Sequence, residues 1–268
     1  MIMNFLDLGL SGKTVQAIDE FGITEPSTAQ IDFVPSILQG KDVFTIAPSG
    51  CGKTTSYVFP LLDIISGTEG KHKNILIITP DSEQSVVVSD RMAIFNKYHE
   101  INEATIKDKD EDIDNEANVI IGSPDLLAEL QQEERLDLSK INILVVDDIN
   151  LIKKKKQLPN LEKILELLPA DKQNIVYTNR RSRETQDILD KILKAPEEIK
   201  VDKAKEQEAE LTAKSAPQEK TCAKVASSHS NRHPVKDSEA LELVKKYNNF
   251  NGKTPEFLLN KGLVVNID

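Results

Sequence analysis

The chain has 268 residues, with 34 Lys and Arg against 44 Asp and Glu and a formal charge of −10 at pH 7. That length holds one α/β domain of roughly 200 residues plus an appendage, and 39% hydrophobic with 29% charged residues fits a soluble globular protein with a solvated tail. The apolar runs are strand-sized, which argues against a membrane span, and the negative balance argues against simple non-specific binding to nucleic acid.

Val15, Ile18 and Phe21 open the chain with helical spacing. Residues 42–47 and 74–79 then read as Val- and Ile-rich strands buried on both faces, with a helical segment at 54–65 between them. Residues 100–116 hold Glu100, Glu103, Asp108, Asp110, Glu111, Asp112, Asp114 and Glu116, and read as a solvated acidic loop. Strands follow at 119–121, 141–146 and 174–177. Lys153 to Lys156 reads as a solvated loop ahead of a helix striped by Leu161, Ile164, Leu165 and Leu168. Arg180, Arg181 and Arg183 form a basic cluster, and Ile188, Leu189 and Ile192 mark a last helix. Strands alternating with helices imply βαβ units, hence one doubly wound α/β domain with a parallel sheet and helices on both faces.

This domain is expected to span 1–202. The stretch 203–238 has almost no large apolar side chains, only Leu211, Val225 and Val235, and reads as a disordered linker. Apolar character returns in 239–268, a short C-terminal segment suited to docking. Cys51 and Cys222 make neither a disulfide framework nor a zinc site, and a reducing cytoplasm is the default location. The first ten residues contain Asp7 and no basic stretch, unlike a signal peptide.

The sharpest motif is Ala47-Pro48-Ser49-Gly50-Cys51-Gly52-Lys53-Thr54, followed by Thr55, between a strand and a helix. Gly50 and Gly52 let backbone N–H groups turn around an anion, and the helix N-terminus adds partial positive charge. Lys53 is placed to reach the β- and γ-phosphates of a nucleotide, and the Thr54 hydroxyl to ligate Mg²⁺. Cys51 fills a spacer position. After the strand 141–146 come Asp147, suited to hold Mg²⁺, and Asp148, suited to polarise an attacking water.

From Phe5 to Val201 these residues together resemble the first RecA-like domain of a DEAD-box RNA helicase. Phe21-Gly22-Ile23-Thr24-Glu25-Pro26-Ser27-Thr28-Ala29-Gln30 is similar to the family's Q motif. The resemblance implies that Gln30 reads the adenine edge, for which an amide that both donates and accepts is suited. It also implies that Phe5 supplies a stacking face. Residues 195–201 resemble the last strand of that domain.

Elsewhere the pattern is rewritten. Thr79-Pro80-Asp81-Ser82-Glu83 stands for Pro-Thr-Arg-Glu-Leu-Ala, with Ser82 where the arginine belongs. Gly122-Ser123-Pro124-Asp125 stands for Thr-Pro-Gly-Arg, with Asp125 and Leu126 replacing glycine and arginine. Asp147-Asp148-Ile149-Asn150 replaces Asp-Glu-Ala-Asp, so Asn150 removes the acid expected to couple to Thr178-Asn179-Arg180 in the Ser-Ala-Thr place.

The resemblance implies ATP and Mg²⁺ as cofactors, RNA as a partner held by weakened contacts, and no membrane. With no second RecA-like domain and no arginine finger expected in this sequence, a protein supplying either is implied, because losing that charge typically costs ~10³–10⁵ in rate. Two functions stay open. One is an ATP-binding helicase-like protein with Lys53 and Asp148 as catalytic residues, weak or partner-dependent ATPase and no autonomous unwinding. The other is a catalytically inactive scaffold, nucleotide-gated or purely structural.

Overall fold

The computed structural model describes residues 3–47, 52–67, 74–110, 113–194 and 196–200, all within the compact unit Met1–Ala216. The linker expected at 203–238 and the segment 239–268 lie outside the described residues.

Alternating apolar side chains build the sheet. Among the described residues its strands are β1 (Val43–Ile46), β2 (Asn74–Ile78), β3 (Glu103–Thr105), β4 (Val119–Gly122), β5 (Ile141–Val146), β6 (Gln173–Thr178) and β7 (Glu197–Lys200). They lie in the order β3-β4-β2-β5-β6-β1-β7, and every pairing is parallel. Helices α1 (Gly12–Phe21) and α2 (Thr28–Leu38) precede β1, and α3 (Lys53–Ser66) and α4 (Ser82–Phe95) flank β2 in sequence. Then come α5 (Pro124–Gln132) before β5, α6 (Ile149–Lys154) and α7 (Leu158–Leu167) before β6, and α8 (Arg183–Ile192) before β7.

Strand side chains alternate between two cores. Ile75, Ile77, Val119, Ile143, Ile175 and Tyr177 point to the side that holds α1 to α4, where Ile18, Phe33, Phe59 and Phe95 meet them. Leu76, Ile78, Ile120, Leu144, Val146 and Val176 point to the other side, against Leu127, Ile152, Leu161 and Ile188. Each such side chain fully removed from water contributes about 1.5–3 kcal/mol. The expected doubly wound, RecA-like sheet is therefore what forms.

Two expectations need correction. Glu103, Ala104 and Thr105, placed in the acidic loop, instead form edge strand β3, paired to β4 alone. The lysine run is not simply a loop: α6 continues through Lys154, and basic residues in its last turn suit the negative end of the helix.

Because all strands run one way, their carboxyl ends share one edge. Ile78 is in register with Val146, Val146 with Val176, and Ile46 with Thr178. Backbone bonds extend this alignment into the loops: the Ala47 N–H donates to the Thr178 carbonyl (2.9 Å), Asp147 to Ile78 (2.8 Å) and Thr79 to Gly122 (3.0 Å). Ala47, Thr79, Gly122, Asp147 and Thr178 thus arrive at the edge where open α/β sheets hold ligands.

Candidate functional site

Four residues of the glycine-rich loop, Pro48, Ser49, Gly50 and Cys51, lie outside the described residues, while Ala47 is buried at the end of β1. Beyond them Gly52 is the N-cap of α3 at φ 80°, ψ 22°. This left-handed conformation favours glycine. A Cβ there would make ordinary contact with Thr55 Oγ1 (3.4 Å) and Ser27 Oγ (3.7 Å), so the backbone conformation is what asks for glycine.

Thr55 joins this loop to the start of α2. Its hydroxyl donates to the Gly52 carbonyl (2.9 Å) and accepts from Gln30 Nε2 (2.9 Å). Gln30 Oε1 in turn accepts the Ser27 N–H (2.8 Å), while Ser27 Oγ accepts the Gln30 N–H (3.2 Å), which together close a capping box. Gln30 is buried, and its amide is tied to both the helix cap at Ser27 and Thr55 at the start of α3.

A cavity of about 440 Å³ opens beside this junction, within the range typical of small-molecule sites. Its lining includes the polar Lys53, Thr54, Thr55, Asp147 and Asp148, the apolar Phe21, Ile23 and Val87, and Arg91. Lys53 and Asp148 approach to 3.6 Å between Nζ and Oδ2, with both side chains largely buried. That separation is an ion pair beyond ordinary hydrogen-bond length.

Asp147 is buried and accepts from the Tyr57 hydroxyl at Oδ2 (3.2 Å). Burial pushes its carboxyl above the usual range; Lys53 opposes this and Asp148 adds to it. The Tyr57 phenol is likewise pushed well up, first by burial and then by the Asp147 charge. Asp148 caps α6, accepting from the Leu151 N–H (3.2 Å) at φ 61°, ψ 73°. A left-handed non-glycine residue stores strain that its surroundings must hold.

The donors suit a hard divalent cation. Among the described residues no group of three or more His, Cys, Asp or Glu could hold a metal. The Thr54 hydroxyl and the buried Asp147 carboxylate nevertheless face one cavity. Few protein oxygens, completed by water and phosphate, are how Mg²⁺ is usually held.

Phe5 does not reach this cavity. It is buried edge-on against Phe59, with ring centroids 5.9 Å apart, and anchors the N-terminal segment to the core. The aromatic at the cavity is Phe21, 38% exposed, with the Arg91 guanidinium 5.9 Å from its ring centroid. Sequence reasoning missed Arg91 and Tyr57. Arg91 stands one helical turn after Val87, a spacing that only gains meaning once α4 borders the cavity.

Asn150 also departs from expectation, because it does not sever the link to 178–180. Its Nδ2 lies 2.6 Å from Thr178 Oγ1, 3.2 Å from Asn179 Oδ1 and 2.6 Å from the Arg180 carbonyl. Farther along the edge, Asp81 caps α4 and accepts from Lys155 (2.7 Å). Burial pushes the Asp81 carboxyl up, but Lys155 and the Gln84 N–H bring it below its usual range. Arg181 is paired with Glu198, and Lys153 with Glu184.

A parallel sheet with Lys53 and two strand-end carboxylates on one cavity defines a RecA-like α/β domain. The family model for DEAD/DEAH box helicase matches residues 27–188, and the chain belongs to that family. It is 28% identical over 204 residues to ATP-dependent RNA helicase DeaD of Escherichia coli K12, covering 74% of this chain and 32% of that protein. It is 28% identical over 205 residues to DEAD-box ATP-dependent RNA helicase RhpA of Helicobacter pylori B128, covering 74% and 41%. The chain thus spans between 32% and 41% of the length of these curated relatives. Among solved structures, a DEAD box protein from Methanococcus jannaschii superposes with TM-score 0.70 at 24% identity, covering 75% of this chain and 56% of that one. Dbp5 of Saccharomyces cerevisiae, solved bound to Gle1 and IP6, has TM-score 0.67 at 21% identity, covering 76% and 54%. These two likenesses are of fold.

Proposed function

We propose that this chain is an ATP-binding, RNA helicase-like module that takes ATP with Mg²⁺ at the Lys53 cavity and does not unwind RNA by itself. The observation that carries this reading is the convergence of Lys53, Thr54, Asp147 and Asp148 on one cavity at the carboxyl edge. The relatives named as ATP-dependent RNA helicases support the choice of nucleotide and of RNA as the second ligand.

In this reading the phosphates lie against Lys53 and the N-terminus of α3, with Ala47, Pro48, Ser49, Gly50, Cys51 and Gly52 as their backbone cradle. Thr54 and Asp147 hold Mg²⁺, which supplies charge neutralisation at the phosphates when bound. Asp148 takes a proton from the attacking water, and its φ 61° cap conformation turns the carboxylate toward Lys53. Phe21, Ile23 and Arg91 border the base, and Gln30 reports its presence to the loop through Thr55. Hydrolysis then waits on an arginine or a second RecA-like domain from a partner, whose added charge completes the site.

A second reading, a nucleotide-gated scaffold, draws support from the rim, where Ser82 and Leu126 stand at positions that the family fills with arginine. Titration of the full chain with Mg²⁺-ATP, with turnover measured in parallel, separates the two. Binding with slow turnover that a partner raises supports the first, and binding without turnover under any condition supports the second. No binding would contradict both.

A further inference from the structure

Asn150 lies in the first turn of α6, two residues beyond Asp148, and is 9% exposed. Three oxygens surround its Nδ2: Thr178 Oγ1, Asn179 Oδ1 and the Arg180 carbonyl. The donor sense of this cluster is determined. A peptide carbonyl has no proton to give, so the group facing Arg180 must be the NH₂ end of the amide. The Thr178 hydroxyl also donates to that same carbonyl (2.8 Å), so it turns a lone pair toward Asn150. One Nδ2 proton serves Arg180, and the other is shared by Thr178 and Asn179.

An aspartate at this position would be acceptor-only when ionised. It would set a carboxylate oxygen close to the Arg180 carbonyl, which has no proton to offer, and the Thr178 hydroxyl could meet the acid only by giving up its own bond to that carbonyl. The acid that the family pattern places here would therefore sit less well in this turn than the amide does. The turn after β6 accepts, and α6 must give.

We infer that Asn150 is a positioning residue: its amide, by donating into the 178–180 turn, holds the N-terminus of α6 and thereby the two strand-end carboxylates in place. Asp148 sits at a left-handed φ of 61°, a conformation that persists only when surrounding contacts enforce it. Lys53 restrains it from the cavity side at 3.6 Å, and Asn150 restrains the same helix end from the β6 side. The link between the two motifs is kept with its polarity set by the amide, and Asn150 and Asn179 are a matched donor and acceptor.

The donor sense stands on geometry alone, whereas its effect on the carboxylates rests on the ATP reading, so the test reads them separately. Asn150→Asp and Asn150→Ala are made in the full chain and compared by thermal unfolding and by ATP affinity with and without Mg²⁺. Asn150→Asp, although the closer isostere, is expected to lower Tm by roughly 5 °C and by more than Asn150→Ala. In Asn150→Ala the gain in ATP affinity on adding Mg²⁺ should shrink at least about threefold while metal-free affinity holds, because Lys53 still meets the phosphates. That ratio would not move if the side chain only stabilised the fold. Should Asn150→Asp fail to fold, the donor sense is supported and Asn150→Ala carries the second comparison. An Asn150→Asp protein as stable as the parent would overturn the donor assignment, and an unchanged Mg²⁺ gain in Asn150→Ala would overturn the positioning role. If the parent binds no ATP, the nucleotide reading and with it the positioning role fail, and the order of the two Tm values still decides the polarity.

Discussion

Where β1 and β5 end, Lys53, Thr54, Asp147 and Asp148 turn on one cavity, and both carboxylates are buried. Where β2 and β4 end, the side chains are Asp81, Glu83 and Asp125, half-buried or exposed, and Lys155 is already paired with Asp81. The two regions lie on one edge of one sheet, yet the first keeps the residue types that phosphate chemistry needs and the second has lost the cations that a nucleic-acid backbone needs. The backbone scaffold is common to both, since Thr79 bonds to Gly122 as Asp147 bonds to Ile78. Fold and chemistry have separated along a single edge.

Each region can be altered on its own. The largest effect is expected from Lys53→Ala, which should weaken ATP binding about 100-fold by removing two charge-assisted hydrogen bonds, as read by calorimetric titration. An unchanged affinity would mean that the cavity holds no phosphate. Next, Asp147→Asn should remove most of the Mg²⁺ contribution, about tenfold, while ATP affinity in EDTA stays as it was. The rim should respond oppositely. Ser82→Arg with Asp125→Arg adds positive charge there and should raise single-stranded RNA affinity roughly tenfold at low salt, with ATP affinity unmoved. No gain would show that more than charge separates this edge from an RNA grip. The smallest change is in stability: Gln30→Ala breaks the capping box and the bond to Thr55, and should cost about 1 kcal/mol in denaturant unfolding.

Much of this was legible in the sequence, for a definable reason. Strands buried on both faces announce themselves by Val and Ile, so residues 74–79 and 141–146 could be placed almost to the residue against β2 and β5. Edge strand β3 could not, because Glu103 and Thr105 are half-exposed and its pairing partner supplies the order. The start of α3 was legible because Gly52 and Lys53 follow a strand and precede a helical pattern, and the helix does begin at Lys53 behind a left-handed Gly52. Phe5 was misplaced because an aromatic that stacks on a base and one that fills a core look alike in sequence; only the contact with Phe59 separates them. Asn150 read as a loss because a missing acid is visible in sequence, while the carbonyl of Arg180 that welcomes an amide is visible only in three dimensions.

The most direct measurement is ATP affinity of the full chain in Mg²⁺, with and without single-stranded RNA at low salt. The account predicts saturable ATP binding that depends on Lys53 and changes less than about twofold when RNA is added. RNA binding that tightens ATP binding tenfold or more would contradict it, because an edge carrying Asp81, Glu83 and Asp125 would then grip RNA and couple it to the nucleotide.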